Sequence, residues 1–308
     1  MPTRQKAIRL FQFSGITVYL HWSWFLIAIF EINGRNSSYT SFYWNVLEYL
    51  ALFVIVMLHE FGHALACRQT GGTANQIVLW PLGGVAYVDP PPRPGAVLWS
   101  IVAGPLVNVV LAPLLYAVAF LGKSTGWWLL FPNLHELLRA VFWIDLVLLG
   151  FNILPIYPLD GGKILWSLLW FVLGRARSLM VATLLGFVGV AGFVLLAIYI
   201  RSVWFGILAG YLLINCWGGL QHARALVKMA KLPRRHEFGC PRCQQSPPAG
   251  EYWKCGKCGQ AFDTFATNAA CPYCSTQFPV TRCLDCGGLS PMSEWAAQRY
   301  AVAMPSQS

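Results

Sequence analysis

Up to about residue 220 the chain alternates long apolar runs with short polar or Pro/Gly-rich stretches. The runs Ile16 to Phe30, Val46 to Cys67 and Ala96 to Leu121 read as membrane-spanning helices. So do a fourth starting near Leu137, then Ser178 to Ile200 and Val203 to Leu220. That makes an all-α polytopic membrane protein of about six transmembrane helices. Gly71 to Pro94 is too polar and Pro-rich to span. Within it Ala74 to Trp80 and Val85 to Val88 read as two short strands around the turn Pro81-Leu82-Gly83-Gly84. This hairpin either offers a strand edge to an unwound peptide or simply connects two helices. The fourth helix runs into Asn152-Ile153-Leu154-Pro155-Ile156-Tyr157-Pro158-Leu159-Asp160-Gly161-Gly162, whose prolines and glycines break it. At membrane depth such a break needs protein or a water-filled cavity around the freed backbone. Gly206 and Gly210, at G-x-x-x-G spacing, are expected to be helix-packing surfaces.

Composition agrees with the pattern. The chain is 56% hydrophobic and 11% charged, with a mean hydropathy of +0.53, whereas soluble domains carry about 25% charged residues. The net charge of +10 is assigned to cytoplasmic loops and anionic lipid rather than to nucleic acid. Arg4, Lys6 and Arg9 precede the first apolar run as in a secretory signal, but no small-residue cleavage site follows, so a retained helix is expected. The Lys and Arg distribution, with Arg68, Arg93, Lys163, Arg175, Arg177 and the run Arg224 to Arg235 on one side, puts both termini in the cytoplasm.

Two histidines and a carboxylate inside an apolar run are costly unless they face a bundle interior or cavity. The run Ala51 to Cys67 contains His59-Glu60-Phe61-Gly62-His63. On a helix the histidines at i and i+4 share a face and can hold one Zn²⁺, with Glu60 beside a metal-held water. The competing expectation is histidines that only hydrogen-bond between helices. Asn108 is the one strongly polar side chain in its run and suits interhelical bonding, and Asp145 is expected to partner a buried polar group.

Past residue 239 the character changes to four C-x-x-C pairs: Cys240/Cys243, Cys255/Cys258, Cys271/Cys274 and Cys283/Cys286. On a reducing cytoplasmic face these read as two Cys₄ zinc sites rather than disulfides. Pairing neighbours gives one ribbon over Cys240 to Cys258 and another over Cys271 to Cys286; an interleaved cross-brace is the other option. The expected division is a transmembrane domain at 1–236, tandem zinc ribbons at 237–290 and a flexible tail at 291–308. The tail region lacks a basic, aromatic-studded stripe, so a cytoplasmic protein partner is preferred to nucleic acid.

Taken together, H-E-x-x-H, the Gly83-Gly84 hairpin, Ala103-Gly104-Pro105-Leu106-Val107-Asn108 and NILPIYPLDGG resemble the site-2 protease family of intramembrane zinc metalloproteases. The resemblance implies His59, His63 and Asp160 as ligands of one catalytic Zn²⁺ and Glu60 as general base. It also implies Asn152 as a substrate-backbone contact, with Asn108, Gly83 and Gly84 assisting. By the same resemblance the substrates are single-span membrane proteins, cleaved in or near their spans, in a bacterial cytoplasmic membrane. The alternative is a non-catalytic membrane adaptor whose zinc sites are structural; its mark would be a fourth protein ligand or a missing Glu60.

Overall fold

The computed structural model describes residues 7–26, 28, 39–80 and 83–295. It opens with an antiparallel hairpin, β1 Ala7–Phe13 and β2 Ile16–His21, where a membrane helix was expected to begin. The local reason is a two-residue turn, Ser14-Gly15, with positive φ at both positions (48° and 72°), the arrangement that right-twisted hairpins favour. Burial then alternates along β2, with Ile16 and Val18 fully buried, as a half-buried strand requires. Only Trp24–Leu26 and Ala28 of the expected first span are helical among the described residues, and 27 and 29–38 lie outside them.

Helix α1, Phe42–Gln69, has 28 residues and at about 1.5 Å per residue is long enough to cross a hydrocarbon core of about 30 Å. Its buried side chains, including Asn45, Glu48, Ile55, His59, His63 and Cys67, recur every three or four residues and form one stripe. Next come β3 Thr73–Trp80 and β4 Gly83–Asp89, the expected hairpin; Pro81 and Leu82 of its turn lie outside the described residues. β3 pairs antiparallel with β4 and parallel with β2, so α1 is the crossover that parallel strands need. The sheet order is β1-β2-β3-β4, which leaves one edge of β4 unpaired. Ile16, Val18, Ile77 and Leu79 of the sheet pack with Val56, Phe61, Ala64 and Cys67 of α1. Arg68 ties the parts together: its guanidinium donates to the carbonyls of Ala74 (2.9 Å), Gly15 (3.1 Å) and Ser14. The sheet therefore sits beside the end of α1 that carries the histidines.

The remaining helices are α2 Pro94–Ser124, the short α3 Trp127–Leu130, α4 Pro132–Ile153, α5 Asp160–Tyr199 and α6 Val203–Ala230. Gly174 (φ 75°, ψ 166°) breaks α5 just before Arg175. Among the described residues four helices, α1, α2, α5 and α6, are long and apolar enough to cross a membrane. α4 carries Glu136, Arg139 and Asp145, which dilute its apolar run. The molecule is thus an integral membrane protein, mostly helical, with small sheets. Gly206 and Gly210 do not form a packing seam, since a side chain there would meet open space. α5 and α6 approach closely at Gly186 and Gly219 instead, against Cys216, Tyr157 and Thr183.

Beyond α6 lie two small hairpins, β5 Trp253–Lys254 with β6 Ala261–Phe262 and β7 Thr281–Arg282 with β8 Leu289–Ser290. They share one core of Trp253, Phe262, Phe265 and Trp295. Trp295 is fully buried there, so this unit continues past residue 290 into the expected tail; residues 296–308 lie outside the described residues.

Candidate active site

Two helices bring the predicted ligands together. His59 and His63 project from α1, and Asp160, the first residue of α5, comes from the turn that follows α4. Asp160 Oδ2 lies 3.0 Å from His59 Nε2 and 3.2 Å from His63 Nε2, and the two Nε2 atoms are 3.1 Å apart. All three side chains are buried. The other ring nitrogens are already committed. His63 Nδ1 is 2.8 Å from the carbonyl of Ser100, which can only accept. His59 Nδ1 is 2.7 Å from Asn108 Oδ1, while Asn108 Nδ2 donates to Asp145 Oδ1 at 2.6 Å. Both Nδ1 atoms therefore carry a proton, which leaves each Nε2 as the ring's metal-binding atom, aimed at the same carboxylate oxygen. Three such atoms within 3.2 Å of one another need a shared cation, a proton or a metal ion, among them. A tetrahedral Zn²⁺ with bonds of about 2.0–2.1 Å has ligand-to-ligand edges of about 3.3 Å, close to the observed spacing. Among the described residues this group has three members, so a Zn²⁺ there keeps a position for water.

Close approach of α1 and α2 depends on Gly104: a Cβ there would overlap the His63 imidazole. On the opposite side β4 crosses Glu60. The amide of Ala86 donates to Glu60 Oε2 at 2.8 Å, and a Cβ on Gly84 would overlap the Glu60 carboxyl. Ala86 thus turns its amide away from β3, and the free edge of β4 lies against the expected base. Asp160 uses its second oxygen, Oδ1, towards Lys163 Nζ at 3.5 Å, one helical turn on. Asn152 sits half-buried in the last turn of α4 with no side-chain hydrogen bond among the described residues.

Residues 48–127 and 128–196 match peptidase family M50. The zinc metalloprotease MJ0392 of Methanocaldococcus jannaschii is 35% identical over 181 residues, 58% of this chain and 50% of that protein. The putative zinc metalloprotease sll0528 of Synechocystis sp. is 29% identical over 249 residues, 75% of this chain and 62% of that one. The solved site-2 protease from Methanocaldococcus jannaschii superposes with a TM-score of 0.50 at 28% identity, covering 70% of this chain and 95% of the other. These matches support the site-2 protease family, M50, over residues 48–196. The chain spans between half and two thirds of the length of the two curated relatives.

Outside the matched residues, the chain brings its eight tail cysteines together as two sets. Cys240, Cys243, Cys283 and Cys286 form one, and Cys255, Cys258, Cys271 and Cys274 the other. The pairing is nested, outer with outer and inner with inner, and neither the neighbour pairing nor the interleaved one occurs. The physical reason is the shared aromatic core: β5–β6 and β7–β8 pack on it together, which folds the last knuckle back onto the first. Each knuckle repeats one backbone form, in which the amide of the first cysteine donates to a carbonyl five residues on. The residue after the second cysteine (Gln244, Gly259, Ser275, Gly287) has positive φ and donates back to the first cysteine's carbonyl. Sulfur separations of 3.8 Å in the outer set and 3.6 Å in the inner set suit a ZnS₄ tetrahedron, whose edge is about 3.8 Å for bonds of about 2.3 Å.

Asn108, expected to bond between helices, is fully buried behind His59 with its amide spent on His59 and Asp145. Sequence reasoning missed Ser100, Ala86 and Lys163 as site contacts. The two backbone groups leave no trace in residue identity. Lys163, three residues after Asp160, was legible from helical spacing.

Proposed function

We propose that the chain is an intramembrane zinc metalloprotease that hydrolyses peptide bonds in or near the spans of single-span membrane proteins. The observation that carries this is the converging ligand set of His59, His63 and Asp160 beside Glu60, whose carboxylate lies against the free edge of β4. When bound, Zn²⁺ supplies Lewis acidity and lowers the pKa of a coordinated water. Glu60 takes the water's proton at its carboxylate and delivers it to the departing amine; the Ala86 amide fixes the carboxylate's orientation for both transfers. Asn108 and Asp145 hold the His59 ring in one tautomer, and the Ser100 carbonyl does the same for His63. The substrate backbone, unwound, adds along the free edge of β4 at Gly83 and Gly84, and the Asn152 amide holds it from the α4 side. Two structural Zn²⁺ ions fill the cysteine sets and supply most of that unit's folding energy. Arg68, Arg175 and Arg234 lie at the same end of the molecule as the sheet and the cysteine unit, which makes that face cytoplasmic, in a bacterial cytoplasmic membrane, where the unit meets a protein partner.

The test is cleavage of single-span substrates by the full chain reconstituted in lipid, comparing wild type with Glu60→Gln. Wild type cleaves, and the variant is slower by about 10²- to 10⁴-fold at equal zinc content. Equal rates would remove Glu60 from the reaction and contradict the proposal.

A further inference from the structure

The cysteine unit is joined to the membrane helices and their sheet by charged residues inside the two outer knuckles. Arg242, between Cys240 and Cys243, pairs with Asp89, the last residue of β4, at 2.8 Å. Asp285, between Cys283 and Cys286, accepts from Arg175 on its backbone carbonyl at 2.8 Å. Its carboxylate takes both terminal nitrogens of Arg234, at 2.6 and 3.0 Å. Among the described residues the intervening positions of the inner knuckles, Gly256, Lys257, Pro272 and Tyr273, make no such link to the membrane part.

Both anchor points lead to the active site. Asp89 ends the strand whose Ala86 amide holds Glu60. Arg175 follows Gly174, the break in the helix that begins with Asp160. The cluster also fixes the arginines. Four thiolates around one Zn²⁺ carry a net charge of about −2; Arg242 lies in electrostatic range of Cys240 and Cys286, and Arg234 of Cys243 and Cys283. A loaded outer site therefore places negative charge beside the two cations that reach Asp89 and Asp285.

We propose that Arg242 and Asp285 are positioning residues through which the metal-loaded outer cysteine site holds β4 and the break in α5 in the geometry that Glu60 and Asp160 require. The inference rests on the protease reading for its consequence in cleavage, but the restraint on β4 is measurable without it. Arg242 and Asp89 are both partly open to solvent, so the effect of this pair is modest.

Hydrogen exchange at the amides of residues 84–89 in the full chain, in lipid nanodiscs, tests the restraint. Wild type is compared with Arg242→Glu, Asp89→Arg and the double swap, with zinc content and kcat/KM for a single-span substrate measured alongside. Each single variant is expected to raise exchange by about two- to fivefold with zinc content unchanged, and the swap to restore both exchange and kcat/KM. Rescue by the swapped pair is the mark of positioning, which a general loss of structure would not give. Unchanged exchange in the single variants, or no recovery in the swap, would overturn the proposal. An exchange response without cleavage by wild type would sink the protease reading and leave the restraint standing; cleavage by wild type without an exchange response would do the reverse.

Discussion

The two regions of this chain that could hold metal are built on opposite plans. The membrane site takes its ligands from residues about a hundred positions apart, orients each histidine with a separate buried acceptor, and has three members among the described residues. The cysteine unit takes each ligand pair from a local knuckle, repeats that knuckle with the same hydrogen bonds, and closes each set at four sulfurs. A closed set satisfies its metal and suits folding; a set short of one ligand keeps a place for water and suits hydrolysis. The open set must then be held rigid by the helices and the sheet around it, and this is where Gly104, Gly84, Asn108 and Ser100 are used.

The sharpest way to break this contrast is His63→Ala. It removes one of three ligands and is expected to abolish cleavage and one zinc per chain while the cysteine-bound metal stays, as total metal analysis and cleavage assays would report. Retained cleavage would place the chemistry elsewhere. Gly84→Ala comes next, because the added methyl pushes on the Glu60 carboxyl without touching a ligand. A loss of about 10²-fold in kcat with unchanged zinc is expected; loss of zinc instead would mean that β4 supports the ligands rather than the base. Smaller again is Asn108→Ala, which frees His59 Nδ1 and strands Asp145. Zinc affinity at this site, measured by chelator competition, should weaken by about 10- to 100-fold, with the ZnS₄ sites unaffected.

Much of this was readable in advance, unevenly. His59, His63, Asp160 and Glu60 announced themselves because ionisable groups inside apolar runs are costly, and the Asn152 to Gly162 break because prolines and glycines at membrane depth need a reason. The cysteine knuckles were plain from spacing, yet their nesting was not: four equivalent C-x-x-C pairs carry no information on partner choice, which the shared core of Trp253, Phe265 and Trp295 decides. Ile16–His21 read as the start of a span because its residues are apolar; the Ser14-Gly15 turn was the local cue that it is a strand. Asn108 was expected to bond between helices because an isolated polar residue in an apolar run says that it is buried, and not which neighbour it serves; only the resemblance put it near the substrate.

Zinc K-edge X-ray absorption on the full chain, with metal counting, tests the contrast most directly. Three zinc ions per chain are expected, with sulfur neighbours at about 2.3 Å and nitrogen or oxygen neighbours at about 2.0–2.1 Å; His63→Ala should remove the light-atom neighbours and leave the sulfur. A spectrum of sulfur alone in wild type, or light-atom neighbours that survive His63→Ala, would contradict it.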